Sequence, residues 1–538
     1  MTTSTAVIDG RTVLDRFRNA VSTMPTRPAV IYFGTVLSLA DLNRASDELA
    51  ACLHAQGLAR GDRLALYLQN MPQYLIGLLA AWKLGGIGVP VNPMLKANEV
   101  GKILDDATPR ILIALDELCT GALRQMLARS SVRQVITTSA LDWAGDTDAR
   151  VLPAERAAVP DGAVDLIDLL DRHAGEVPQA FSPEPDDVAV ITYTSGTTGV
   201  PKGAMNTHRN VAVGGAAYCD WFSLSSADIV LAVAPLFHVT GLTGHIACAL
   251  SAPAPLILCY RFHPDMIVQV IRRHRPTFTV AAITALIALV DSDATRDDLA
   301  SLTKIASGGA PVAIGVVERF EHRFGAYIRN VYGMTETTSP VLAVPPAGRA
   351  PVEKRTGALS VGVPVLSARV AVLDDEGAQI GPGQIGELAV DGPQIVPGYW
   401  RNAEAGAEAR TGNWFRTGDV GYVDDGGWYY LVDRKKDVII ASGFKVWPRE
   451  VEDVLYSHAA VLEAGVVGRP DPYRGESVVA YVSVREGFTI EPGELVQFCR
   501  DRLAAYKYPR EIEIVDAIPK TVTGKILRRN LRETAAGG

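Results

Sequence analysis

From Ala45 to Leu115 the chain repeats one pattern, and that pattern limits the fold class more than any other feature. "ASDELAACLHAQGLARGD" (Ala45 to Asp62) sets Leu49 and Leu53 at i, i+4 and stops in glycines, as a helix does. "RLALYLQN" (Arg63 to Asn70) follows as a buried strand, and "ILDDATPRILIAL" (Ile103 to Leu115) repeats helix, turn and strand. This alternation predicts a parallel sheet with helices on its faces. The most apolar run, "YLIGLLAAWKLGGIGVPV" (Tyr74 to Val91), is broken by Lys83, glycines and Pro90. It reads as a buried helix feeding a strand, not as a membrane span.

At 538 residues the chain exceeds what one hydrophobic core serves, so two or more domains are expected. The stretch from about Ser139 to Asp187 is rich in Ala, Asp and Pro and is expected to be surface connection. "VAVITY" (Val188 to Tyr193) is β-branched and apolar, the signature of a central strand. After Leu359 short strands and Gly/Asp turns predict a small β-rich subdomain. Beyond "LVDRKKD" (Leu431 to Asp437) helix and strand patterns alternate again. They predict a compact α+β unit of about 100 residues. Its final basic run, with Arg528, Arg529 and Arg532, reads as a solvated helix face.

Bulk composition mainly excludes. A net charge of −8 argues against nucleic acid or an acidic membrane surface. The six cysteines form no CxxC pair, so neither a zinc site nor a disulfide framework is expected. The N-terminus carries no apolar signal segment, and a cytoplasmic protein is the default expectation.

"YTSGTTGVPKG" (Tyr193 to Gly203) follows the predicted strand. Open α/β sheets place their ligands at such strand ends. Gly196, Gly199 and Gly203 free backbone N–H groups; Thr194, Ser195, Thr197 and Thr198 offer hydroxyls; Lys202 adds one ammonium. Together these hold a phosphate. The P-loop pattern does not fit, because Pro201 stands five after Gly196 and Gly203 follows Lys202.

The segment resembles the phosphate-loop signature of the adenylate-forming superfamily, which includes acyl-CoA synthetases. Further motifs follow in that family's order over nearly the whole chain: "PLFH" (Pro235 to His238), "SGGAP" (Ser307 to Pro311), "VYGMTE" (Val331 to Glu336), "GELAVDGPQIVPGYW" from Gly386, "RTGD" (Arg416 to Asp419), "DRKKDVIIASGFKVWPREVE" from Asp433 and "PKTVTGKILRRNLR" from Pro519. The resemblance implies an α/β N-terminal AMP-binding domain (1–432) of two sheet subdomains plus a β-rich one. It further implies a hinge (433–437) at Lys436 and a mobile α+β C-terminal domain (438–538). Lys436 and its charged neighbours suit a hinge that stays solvated as it turns.

The implied chemistry is attack of a carboxylate on the α-phosphate of ATP, giving acyl-AMP and pyrophosphate, then attack of a thiol on the acyl carbonyl. Mg²⁺ and lysine are the devices such a crowd of negative charge calls for. By resemblance Thr194 and Glu336 ligate Mg²⁺, Thr335 contacts the α-phosphate, and Lys202 and the hydroxyls through Gly199 hold phosphates. Tyr332 stacks on adenine beside Gly308, Gly309, Ala310, Asn330, Val331, Gly333 and Met334. Asp419 takes the ribose hydroxyls with support from Arg434. Lys525 swings in with the small domain to bridge carboxylate and phosphate. His238, Ile283, Thr284, Gly309 and Met334 border the acyl pocket. Ser442, Gly443, Phe444 and Arg474 lie along the coenzyme A tunnel in a second conformation. In "TVAAITALIAL" (Thr279 to Leu289) small residues replace the proline turn of many relatives, which suggests room for a bulky or long apolar acid.

The resemblance thus points to an ATP-dependent carboxylic acid–CoA ligase for a fatty or aromatic acid, as monomer or homodimer. Delivery to a separate carrier protein is the alternative. A non-catalytic nucleotide-binding regulator, the reading from another class, requires damage to the catalytic set, yet Lys202, Glu336, Asp419 and Lys525 are all present.

Overall fold

A computed structural model describes the chain except residues 1–9, 195–200, 311, 354–357, 442–443, 472–473, 522–524 and 538. The architecture is mixed α/β, with a large N-terminal domain of three sheets and a small C-terminal domain built on a fourth. In the seven-stranded sheet the order is Ala163–Asp165, Gln134–Thr138, Ile111–Leu115, Arg63–Tyr67, Ile87–Pro90, Val188–Thr194, Lys202–Thr207. All neighbours are parallel except the last pair. The nine-stranded sheet has a parallel interior from Pro28–Tyr32 to Ile328–Tyr332. The helix Pro72–Lys83 is buried at every position. At its end the Lys83 ammonium donates to Asp47 at 2.7 Å and to Ser46 Oγ at 2.8 Å, so the buried charge is paired.

Three expectations need correction. Val188–Thr194 is not central; it stands next to the edge, between the parallel Ile87–Pro90 and the antiparallel Lys202–Thr207. The quoted loop therefore closes a hairpin rather than opening a helix. The stretch 139–187 is not all connection. Ala163–Asp165 adds the outermost strand, and Asp165 caps the helix Leu166–Arg172, whose Leu166, Leu169 and Leu170 are buried. The basic face at the C-terminus is only partly solvated. Arg529 is exposed, but the Arg528 side chain is 15% exposed and donates to both Glu452 oxygens at 2.8 Å. It also reaches Asp433 at 3.3 Å and Asp437 at 3.4 Å. One guanidinium thus ties the final helix (Arg528–Gly537) to the linking segment and to the helix Pro448–Tyr456.

The β-rich part after Leu359 is an antiparallel sheet of Arg369–Leu373, Gly386–Asp391, Trp414–Val423, Arg410–Thr411 and Tyr429–Arg434. The C-terminal domain packs its own core, including Ile439, Val451, Val466, Val482 and Leu495, under the long hairpin Val461–Asp471/Gly475–Val484. A helix, Pro492–Arg500, covers one side of that core with Leu495 and Cys499 buried. No helix among the described residues is long and apolar enough to cross a membrane.

Candidate active site

Strand ends from all three N-terminal sheets and several elements of the C-terminal domain, among them the helix Pro448–Tyr456, line one cavity of about 2010 Å³. Ile328–Tyr332 runs into the turn Thr335–Thr337. Asn206 pins that turn by donating to Thr335 O at 3.1 Å and Thr338 Oγ1 at 2.9 Å. Glu336, 7% exposed, receives the Tyr399 hydroxyl on Oε1 at 2.9 Å. No other side chain among the described residues donates to it at hydrogen-bond distance. Burial pushes its carboxyl up, and the Tyr399 bond opposes that. The ring of Tyr399 also lies 5.3 Å from the Lys202 ammonium. Across the hairpin Thr194 pairs with Lys202, and Thr194 Oγ1 donates to Lys202 O at 3.4 Å. Ser195, Gly196, Thr197, Thr198 and Gly199 lie outside the described residues.

A second corner forms on the β-rich sheet. Asp419 faces Arg434 in register, with Arg434 Nε 3.3 Å from Oδ1. The Tyr332 hydroxyl donates to Asp419 Oδ2 at 2.8 Å. Burial, then the Asp419 charge, raises that phenol far above its ordinary value. The turn carrying Asp419 is fixed from behind. Thr417 Oγ1 accepts from Asp419 N at 3.1 Å, and buried Glu387 accepts from Gly418 N at 3.1 Å while pairing with Arg416 at 2.5 Å. Gly308, Gly309 and Ala310 line the same cavity beside Val331, Gly333 and Met334. Gly309 takes φ +79°, a conformation that disfavours a side chain. Asn330 is buried, and its Nδ2 donates to Ser360 O at 3.4 Å.

His238, Ile283, Thr284 and Met334 line the apolar part. His238 Nδ1 accepts from Thr240 N at 3.3 Å and meets Thr240 Oγ1 at 3.1 Å. Burial, with the Lys525 charge second, brings its pKa down to about 4. Lys525 stands on the C-terminal domain, half-buried, with its amide donating to Thr521 Oγ1 at 3.1 Å. Its side chain lines the cavity with His238 and Asp419. Burial first and the neighbouring Arg434 second push its pKa down to about 8. Lys436 also lines the cavity, and burial lowers its pKa. Phe444 and Arg474 do not line it. Phe444 is 56% exposed and stacks on Tyr506 at 4.7 Å, and Arg474 N donates to Asp471 Oδ1 at 2.9 Å. Ser442 and Gly443 lie outside the described residues. Tyr399 and Glu387 escaped the sequence reading. Their only signal was position inside the quoted "GELAVDGPQIVPGYW" segment.

The chain matches the family described as AMP-binding enzyme over residues 17–400 and the AMP-binding enzyme C-terminal domain over 450–525. It is 35% identical to the long-chain-fatty-acid–CoA ligase of Bacillus subtilis (strain 168), covering 98% of this chain and 95% of that protein. It is 34% identical to a feruloyl-CoA synthase of an Amycolatopsis species, covering 94% and 96%. The ATP-bound structure of MatB from Rhodopseudomonas palustris superposes with a TM-score of 0.86 at 28% identity, covering 97% and 98%. The chain belongs to the AMP-binding enzyme family, the adenylate-forming acyl-CoA synthetases.

Proposed function

We propose that the protein is an ATP-dependent carboxylic acid–CoA ligase for an apolar acid. One carboxylate oxygen of the acid bonds to the α-phosphorus of ATP, and the bond to the β-phosphate oxygen breaks, releasing pyrophosphate. The CoA thiol then bonds to the acyl carbon, AMP leaves with the bonding pair, and the thiol proton is lost to solvent. The observation that carries this reading is the single cavity that combines an under-donated buried carboxylate (Glu336), a second acid held by Arg434 and Tyr332 (Asp419), a cation from the other domain (Lys525) and an apolar limb. The long-chain-fatty-acid–CoA ligase and feruloyl-CoA synthase relatives support it.

Within this reading Asp419 accepts the ribose hydroxyls, and Tyr332 serves two ends at once, its ring toward adenine and its hydroxyl on Asp419. Lys202 and the loop hydroxyls hold the outer phosphates. Thr335 meets the α-phosphate, and Lys525 spans carboxylate and phosphate. Neutral His238 borders the acid without adding charge where two anions already meet. Gly443, with Ser442, Phe444 and Arg474, takes the pantetheine arm once the unit after the Lys436 hinge turns.

Glu336 fits a hard cation. It is buried, half satisfied by Tyr399 and rich in oxygen lone pairs, and Thr194 adds a hydroxyl at the strand end. Mg²⁺ held by Glu336 and Thr194 would neutralise phosphate charge. Tyr399 orients that carboxylate and carries Lys202 on its ring. Tyr399→Phe keeps the ring and drops the bond. We expect it to raise the Mg²⁺ concentration for half-maximal ATP binding roughly tenfold, the scale of a hydrogen bond to a charged group. Titration calorimetry of ATP at stepped Mg²⁺ measures this, and an unchanged requirement removes Tyr399 from the role.

The test of the whole reading is pyrophosphate release across fatty and aromatic acids, with and without CoA. Acid-dependent release with CoA thioester formation supports a ligase. Release that never yields a CoA thioester redirects the reading to carrier-protein loading, and silence with every acid overturns it.

A further inference from the structure

The apolar limb of the cavity does not end on carbon. Tyr218 of the helix His208–Trp221 is fully buried, its ring packed against Phe222 and Phe278 at 6.5 and 6.2 Å, and it still lines the cavity. Its hydroxyl meets Ser339 Oγ at 3.3 Å, and Ser339 is 6% exposed and lines the cavity as well. Apolar lining residues here include Phe237, Val239, Ile283 and Met334.

Two facing hydroxyls carry two hydrogens, and the bond between them uses one. The other has no acceptor within hydrogen-bond distance among the described residues. A desolvated O–H without an acceptor is unfavourable, and an oxygen brought by a ligand relieves it. The helix carrying Tyr218 packs tightly on the turn carrying Ser339. A Cβ at Gly214 would stand 2.5 Å from Thr338 O and 2.9 Å from Ser339 O, so the helix backbone presses directly on the turn.

Resting on the ligase reading, we infer that the acid carries a hydroxyl oxygen at the end away from its carboxyl, that hydroxylated aromatic acids are the substrate class, and that Tyr218 and Ser339 determine this preference. A buried hydroxyl pair held on a rigid wall fixes the distance from the reacting carboxyl to the oxygen it receives. A rigid ring spans a fixed distance without the ordering loss a flexible chain incurs. A site built around a hydroxyl rejects the analogue lacking it by factors up to roughly 10⁴–10⁵. Here Tyr218 and Ser339 partly satisfy each other when no oxygen arrives, so a smaller factor is expected.

The test compares kcat/KM for 4-hydroxycinnamate against cinnamate, 4-hydroxybenzoate against benzoate, and octanoate and palmitate, all with ATP, Mg²⁺ and CoA. The hydroxylated member of at least one pair should win by roughly 10–100-fold and exceed both fatty acids. Tyr218→Phe should bring that ratio below about threefold, mainly through loss on the hydroxylated acid. Ser339→Ala should lower the same ratio, so the inference stays testable if Tyr218→Phe does not fold. Equal turnover within both pairs, faster turnover of octanoate or palmitate, or a ratio unmoved in the folded variants would overturn the inference and leave the ligase reading intact. No turnover of any acid would overturn both.

Discussion

Lys525→Ala slows acyl-adenylate formation by roughly 10²–10³-fold, the scale for losing one preorganised charge from a transition state. The lysine lines the cavity together with His238, and in the proposed reaction its removal leaves carboxylate and α-phosphate to approach with less neutralisation. Thioester formation from supplied acyl-AMP should change far less, because that step moves no carboxylate toward a phosphate. Equal losses in the two half-reactions contradict the assignment. The pH dependence adds an independent check. Burial and Arg434 bring the Lys525 pKa down to about 8, so the free protein loses this cation as pH rises through that value. The kcat/KM for adenylation should therefore fall above about pH 8 and hold below it. The alanine variant should lack that alkaline limb.

Arg528→Ala should cost about 3–5 kcal/mol of folding stability, because it leaves the buried Glu452 and Asp433 carboxylates without their shared partner, while Asp437 keeps Arg532 at 2.7 Å. In a domain of about 100 residues that lowers the melting transition by well over 10 °C. The effect belongs to the C-terminal domain, so calorimetry should show one transition moving and leave the large domain's unfolding in place. The sign with pH is also fixed. Burial raises the Asp433 carboxyl, while Arg528 pulls both it and the Asp437 carboxyl down. Without the arginine the Asp433 carboxyl rises further above its unfolded value, and the Asp437 carboxyl loses part of what holds it below its own. A carboxyl raised on folding destabilises the ionised form, so the deficit grows as pH increases. The variant should come closer to wild type at pH 5 than at pH 8. A deficit that shrinks toward high pH would reject the hub.

What the sequence revealed and what it hid divide along contact distance. The hairpin loop with Lys202, the turn with Glu336 and the turn with Asp419 were visible because glycines, hydroxyls and charges stand together in short segments. Tyr399 acts on Glu336, 63 positions away in sequence, and Glu387 on Gly418, 31 away, so no local pattern marks either. Arg528 stands in one basic run with the exposed Arg529 and the half-buried Arg532, and only the fold brings it to Glu452, 76 residues earlier. The stretch 139–187 was misjudged because its strand has 3 residues and its helix 7, too short for periodicity to register. Tyr218 sits in a helix buried from Asn210 to Tyr218, where a hydroxyl facing a cavity leaves no trace in hydropathy.

Lys525 and the hydroxyl pair line one cavity from different domains. Lys525 belongs to a module that packs its own core, whereas Tyr218 and Ser339 are rooted in the large body. Recombining tails among relatives would then transplant tempo and leave taste behind, so chimeras joined near residue 435 offer evolution a way to tune how fast the chemistry runs while inheriting which acid it accepts.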